Sequence, residues 1–189
     1  LRKGFATVYA VYRDVANDSY YGDAANVINY PVSNTSWAAP QKADPGYEVA
    51  FSTDVDGNPI YTSDMVAEAK YEAALEAAKG YFKAAGYTFD EASGKVTAAA
   101  AGASLTYEVI VPGDGAGDHP ACAILADTRA SLEKIGITLT INDPSDTNVL
   151  WDSIDANEHQ MWTAAWGSTI DPDMYQVYHS SNGIGLGGT

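Results

Sequence analysis

The chain has 189 residues, enough for one sizeable domain with a real core, and 46% of them are hydrophobic, which argues against a disordered chain. Twenty-five acids against ten bases give a formal net charge of -15, which argues against nucleic acid and anionic membrane surfaces as partners, because both need basic patches. Cys122 is the only cysteine, so no internal disulfide forms, and no apolar run is long enough to cross a membrane.

Leu1 to about Asn17 reads as a helix, because Phe5, Val8, Tyr9 and Tyr12 recur at helical spacing with Arg2, Lys3 and Arg13 outside that stripe. Asp18 to Gly22 adds a turn. Residues 23–63 follow no period and are punctuated by Pro31, Pro40, Pro45, Gly46, Gly57 and Pro59, so they form a long irregular excursion. Within it, Asp54 to Asn58 has half the oxygen ligands of a calcium loop but no closing Glu, and it reads as an Asp-Gly turn. Trp37 is expected to pack this segment down. Ser63 is placed as the cap of an alanine-rich helix from Asp64 to about Ala85, with Val66, Ala69, Ala73, Ala77, Tyr81 and Phe82 inside. Gly86 stops it, and a weak strand spans Val96 to Ala101.

From Leu105 the pattern alternates strand and helix. Leu105, Tyr107, Val109 and Val111 share a strand face. The glycine-rich stretch 112–117 is a loop, and a helix from about His119 to Lys134 lays Ile124, Thr128, Leu132 and Ile135 on one side. Ile137, Leu139 and Ile141 make the next strand, and Asn142 to Ser145 turns the chain into a helix from Thr147 to Ala156 that buries Val149, Leu150 and Ile154. His159 to Trp166 is the third strand. Residues 105–166 are therefore a β-α-β-α-β core with a largely parallel sheet. The strand ends at Gly167, and a polar turn, Ser168 to Pro172, leads into a short helix, Pro172 to His179. A loop at the carboxyl end of such a strand is where ligands tend to sit.

No catalytic set is read. There is no Gly-x-Ser-x-Gly elbow, the three histidines lack metal-ligand pairing, and Gly113-x-Gly115-x-Gly117 has the wrong spacing for either nucleotide signature. No cofactor and no metal is expected.

Three stretches taken in order carry a resemblance. LRKGFATVYAVYRD (1–14) is similar to a "V-R-x-A-hydrophobic-x-x-A-I-D-R" helix, and AAKGYFKAAGY (77–87) to "A-x-x-L-L-x-x-A-G-Y". The third, LEKIGITLTI (132–141), is followed at the expected distance by Trp166-Gly167 and Asp171-Pro172-Asp173. Together they resemble the extracellular solute-binding proteins of family 5, the oligopeptide- and dipeptide-binding receptors of ATP-driven importers, least well from Asn34 to Thr62.

The resemblance implies an α/β fold, one lobe of a periplasmic-binding-protein clamshell, with a mixed or mainly parallel sheet flanked by helices. Residues 1–189 would be that single lobe, the carboxy-terminal one, of a longer two-lobed receptor. The implied partners are a small peptide or other small solute, the missing amino-terminal lobe and a membrane permease. The implied location is extracytoplasmic, with lipid anchoring in the full-length protein. Sugars, nickel chelates and opines remain alternative solutes, and a sensor or adhesion protein reusing the lobe is an alternative role. The implied ligand wall is Trp166, Gly167, Ser168, Thr169 and Asp171. Peptide-binding members carry an acid three positions after the tryptophan, for the ligand's α-ammonium, and here that position is Thr169. Asp171 either supplies the carboxylate or caps the following helix.

Overall fold

A computed structural model describes residues 1–165, 167 and 171–182. Helices and two small sheets, one antiparallel and one parallel, make the architecture. The chain opens with α1 (Arg2–Val11), continues through α2 (Arg13–Ala16), and ends this run with a π-helical turn, Asn17–Tyr21, and a short 3-10 turn, Gly22–Ala24. Phe5, Val8 and Tyr12 are buried, as their helical spacing predicts.

Residues 25–66 hold no helix or strand beyond one antiparallel bridge between Thr53 and Pro59. Side-chain anchors fix this segment to the helices instead. Arg13 donates to the Ile28 carbonyl (3.0 Å) and to Asn29 Oδ1 (3.1 Å), and Asn29 in turn donates to the Tyr47 hydroxyl. Tyr81 donates to the carbonyls of Thr53 and Asp54. Asp54 Oδ1 accepts from the amides of Asp56 (2.9 Å) and Asn58 (2.8 Å), so the Asp-Gly turn consumes that carboxylate within its own loop. Trp37 does not pack the segment down. It is 88% exposed.

The alanine-rich helix, α3 (Ala67–Ala84), begins later than Ser63, with Val66 at its cap position. Its inner face is Ala74, Leu75, Ala78 and Phe82, with Tyr71 packed against them, and Val66 is 65% exposed. The true stripe is rotated by about one residue from the expected one. Leu75 is the only long aliphatic in the helix and sets the face. α1 packs more extensively on α3 than on any other element. Gly4 makes the close approach possible, since a Cβ there would lie 3.0 Å from the Phe82 ring.

After α3 come β1 (Thr88–Phe89) and β2 (Val96–Ala98), an antiparallel pair. The second sheet has three parallel strands, β3 (Thr106–Ile110), β4 (Thr138–Asn142) and β5 (Met161–Trp162), in the order β4-β3-β5. Helices α4 (Pro120–Lys134) and α5 (Asn148–Asp155) make the crossovers, and α6 (Tyr175–Tyr178) comes after the last strand. The α4 face read from spacing is buried throughout. In α5, Leu150 is fully buried but Val149 is 42% exposed, so it does not join the core. β5 pairs over two residues only, against the longer strand expected.

Both long helices end the same way. Gly86 and Gly136 have φ of +99° and +85°. Their amides bond back to Lys83 and Glu133, and the next amides reach Phe82 and Leu132. This is a paired closure of the last carbonyls that glycine permits and a Cβ would strain. It returns each helix to an extended segment that packs on the same core, where Tyr87 and Ile137 are buried. Phe5 makes edge contacts with Phe82 (5.2 Å) and Tyr107 (4.8 Å), tying α1, α3 and β3 together.

Candidate functional site

Parallel strands bring their carboxyl ends to one edge. From β3 the chain crosses to β4 on one side, then returns through α5 to β5 on the other side of β3. The crossovers that leave β3 and β4 therefore run in opposite directions across the sheet, and in sheets of this kind ligands tend to sit outside the strands' carboxyl ends. Register locates the edge. Ile110 pairs with Asn142 and with Trp162, and beyond them Val111 donates to the Asn142 carbonyl (2.8 Å) and Thr163 to the Ile110 carbonyl (3.0 Å).

Three loops furnish this edge. After β3 comes the stretch 112–118 with Gly113, Gly115 and Gly117. After β4 come Asp143, Pro144 and Ser145. After β5 comes the segment that starts at Thr163. Asp143 reaches into the first loop, where its Oδ2 accepts the Gly117 amide at 2.7 Å. Its Oδ1 is closed off from solvent and has no hydrogen-bond partner among the described residues, and Thr163 Oγ1 is in the same condition. His119 caps α4 by accepting the Ala121 amide on Nδ1 (3.1 Å). The Cys122 thiol is pushed up by burial, then by the charge of Asp143 and Asp118, with a backbone bond from His119 opposing them.

Of the residues read from sequence as the ligand wall, Trp166, Ser168 and Thr169 lie outside the described residues. Gly167 is exposed, with open space where a side chain would project. Asp171 is exposed at a bend. The helix after it is shorter than expected, and its leading amide, Tyr175 N, is held by Asp173 Oδ1 at 2.8 Å. Asp173 thus holds the first amide of this helix. Tyr175 and Tyr178 are exposed and line a shallow open depression with Asp173, Met174 and His179, where Tyr175 stacks on His179 at 4.4 Å.

Sequence reasoning missed Asp143, which reads as an ordinary turn residue in Asn142-Asp143-Pro144-Ser145, and Thr163, which reads as one more strand position. The glycine spacing of 113–117 is the available signal. It reads as a flexible loop, with the wrong spacing for a nucleotide signature and aspartates of the wrong charge for phosphate.

The family profile of the bacterial extracellular solute-binding proteins, family 5 Middle, matches residues 5–185. The chain belongs to this family. By its description, that family consists of extracellular solute-binding proteins. Among solved structures, it is similar to the oligopeptide-binding protein AppA from Bacillus subtilis in complex with a nonapeptide, with a TM-score of 0.59 and 16% identity. That match covers 100% of this chain and 32% of AppA, so the chain spans about a third of that protein's length. The likeness establishes a shared periplasmic-binding-protein fold. No curated protein sequence matches the chain. Among the described residues, no helix is long and apolar enough to cross a membrane.

Proposed function

We propose that this family 5 chain is the ligand-capturing lobe of a receptor that serves an ATP-driven importer, with peptides as the solute class. The family match across residues 5–185 is the observation that carries the reading. The opposite senses of the two crossovers in the parallel sheet support it, since the carboxyl edge of such a sheet is where ligands tend to sit. The similarity to a protein whose structure holds a nonapeptide supports the solute class.

The lobe forms one wall of a cleft, and a second lobe supplies the other. Hinge closure shuts the two over the solute. Main-chain hydrogen bonds hold a peptide's backbone while open pockets accept varied side chains. Trp166 gives an aromatic surface for packing, and Gly167 lets the backbone approach. Ser168 and Thr169 offer hydroxyls, and Asp171 offers a carboxylate near the cleft. The closed receptor then docks on a membrane permease. No bond of the solute is broken. A second reading, a receptor for a non-peptide solute, is favoured by one fact: Thr169 gives no charge-assisted grip where peptide receptors of this kind carry an acid.

Mass spectrometry of solutes that co-purify with the full-length receptor tests the reading, and peptides are the expected cargo. Sugars or metal chelates in their place would select the second reading. Calorimetry of the isolated chain with a mixed peptide pool is expected to show no tight binding. Micromolar affinity from this lobe alone would sink the half-site idea.

A further inference from the structure

The carboxyl edge of the parallel sheet keeps two polar atoms shut off from solvent and without a hydrogen-bond partner among the described residues, Asp143 Oδ1 and Thr163 Oγ1. They stand on opposite sides of the end of β3, because β4 and β5 flank that strand. Leaving a buried acceptor unbonded is expensive, more so for a carboxylate, and such groups call for an explanation in what meets them.

The surroundings of Asp143 are built around the carboxylate. A Cβ on residue 113 would fall 2.0 Å from Oδ1, so that oxygen fills space left open by Gly113. The other oxygen is latched by the Gly117 amide. The loop 112–118 is thus folded over the carboxylate, holding one oxygen and closing off the second. Among the described residues, no lysine or arginine forms an ion pair with it. From Val96 to the end of the chain these are Arg129 and Lys134 alone. Both lie in the later half of α4, which runs away from this edge toward the start of β4. The loops at the edge contribute Asp114, Asp118 and Asp146 instead.

We propose that Asp143 is the cation-receiving carboxylate of the cleft, taking the ammonium group of an amine-bearing solute when the 112–118 loop lifts from it, with the Thr163 hydroxyl as a second polar contact. The inference rests on the solute-binding reading and narrows it to solutes with a free amine. No proton moves. The ionised carboxylate exchanges one backbone amide for an ammonium, which carries enough donors to satisfy both oxygens. The grip that Thr169 lacks is then supplied from the neighbouring strand end.

The test is an NMR titration of the chain with trialanine amide, a cation, and with its N-acetylated form, which is neutral. Trialanine amide is expected to shift the Gly117 and Thr163 amide resonances and to speed Gly117 hydrogen exchange by roughly tenfold or more, as fits loss of a charge-assisted bond. The acetylated probe is expected to leave them unmoved. Asp143→Asn should abolish the response. Glu72→Gln, which removes the same charge from an exposed position on α3, should preserve it. Gly113→Ala pushes the carboxylate aside while keeping its charge, and should speed Gly117 exchange with no probe present. Equal responses to both probes, an unmoved Gly117 in the unaltered chain, or a normal response in Asp143→Asn overturns the proposal. The two-probe comparison on the unaltered chain decides it even where a variant fails to fold. Failure here leaves the receptor reading to the co-purified solutes, which this titration does not touch.

Discussion

Arg13 shows how a single residue holds the long irregular segment, and Tyr61 lies within reach of its charge. Arg13 donates to the carbonyls of Ala10 and Ile28 and to Asn29 Oδ1. Burial pushes its guanidinium below the usual value, and the nearby Asp14 pushes it back. A lysine cannot reproduce that fork. Arg13→Lys is therefore expected to cost about 1–3 kcal/mol in urea unfolding and to open residues 25–50 to limited proteolysis. Tyr61 has a hydroxyl closed off from solvent with no hydrogen-bond partner among the described residues. Burial pushes its phenol up to about 12, with the Arg13 charge opposing. Its folded pKa lies above its unfolded one, so its contribution is fully present below the ordinary phenol value and is lost as pH rises toward the folded value. Alkaline unfolding should begin in that window, and Tyr61→Phe should delay it while leaving neutral stability unchanged or slightly raised. Thermal melts across the alkaline range check both points.

At the scale of elements, the decisive joint is α1 against α3. Phe82 is fully buried and touches Phe5, Tyr87 and Gly4. Phe82→Ala leaves a cavity where three elements meet, and should cost about 3–5 kcal/mol by urea denaturation. Elements of this kind are legible in the sequence wherever bulky apolar residues repeat on one face. The α4 stripe Ile124, Thr128, Leu132 and Ile135 emerges whole, and the two helix-stopping glycines mark their boundaries within a residue or so. The α3 face is misread because alanine carries too little hydrophobic contrast to phase a helix, and Leu75 has to decide it. β5 shrinks to Met161–Trp162 because an apolar run specifies burial but not how far a ladder pairs. The candidate site is less legible still. Trp166 to Asp171 come from resemblance, whereas Asp143 owes its surroundings to a glycine in another loop, a contact with no local pattern to betray it.

The whole molecule carries its charge unevenly paired. Against a net charge of -15, the ion pairs among the described residues are Lys79–Glu76 and Lys83–Glu91, and both are exposed to water on the acidic side. Such pairs contribute little, whereas self-repulsion acts on the folded state as a whole. Salt should therefore stabilise this protein. Raising ionic strength to about 0.15 M, where the screening length falls to about 8 Å, is expected to lift the thermal midpoint. A fall would mean that the surface pairs matter more than the excess of like charge.

The segment 25–66 joins two helices that pack on each other, and it does so with loop rather than ladder. The entropy of closing such a loop grows only with the logarithm of its length, so halving or doubling it changes stability by about 0.6 kcal/mol. What fixes the segment is a handful of tethers, at Arg13, Asn29, Tyr47 and Tyr81, and not its contour length. The stretch around exposed Trp37, away from those tethers, is consequently the place where this chain can gain or lose residues at little cost.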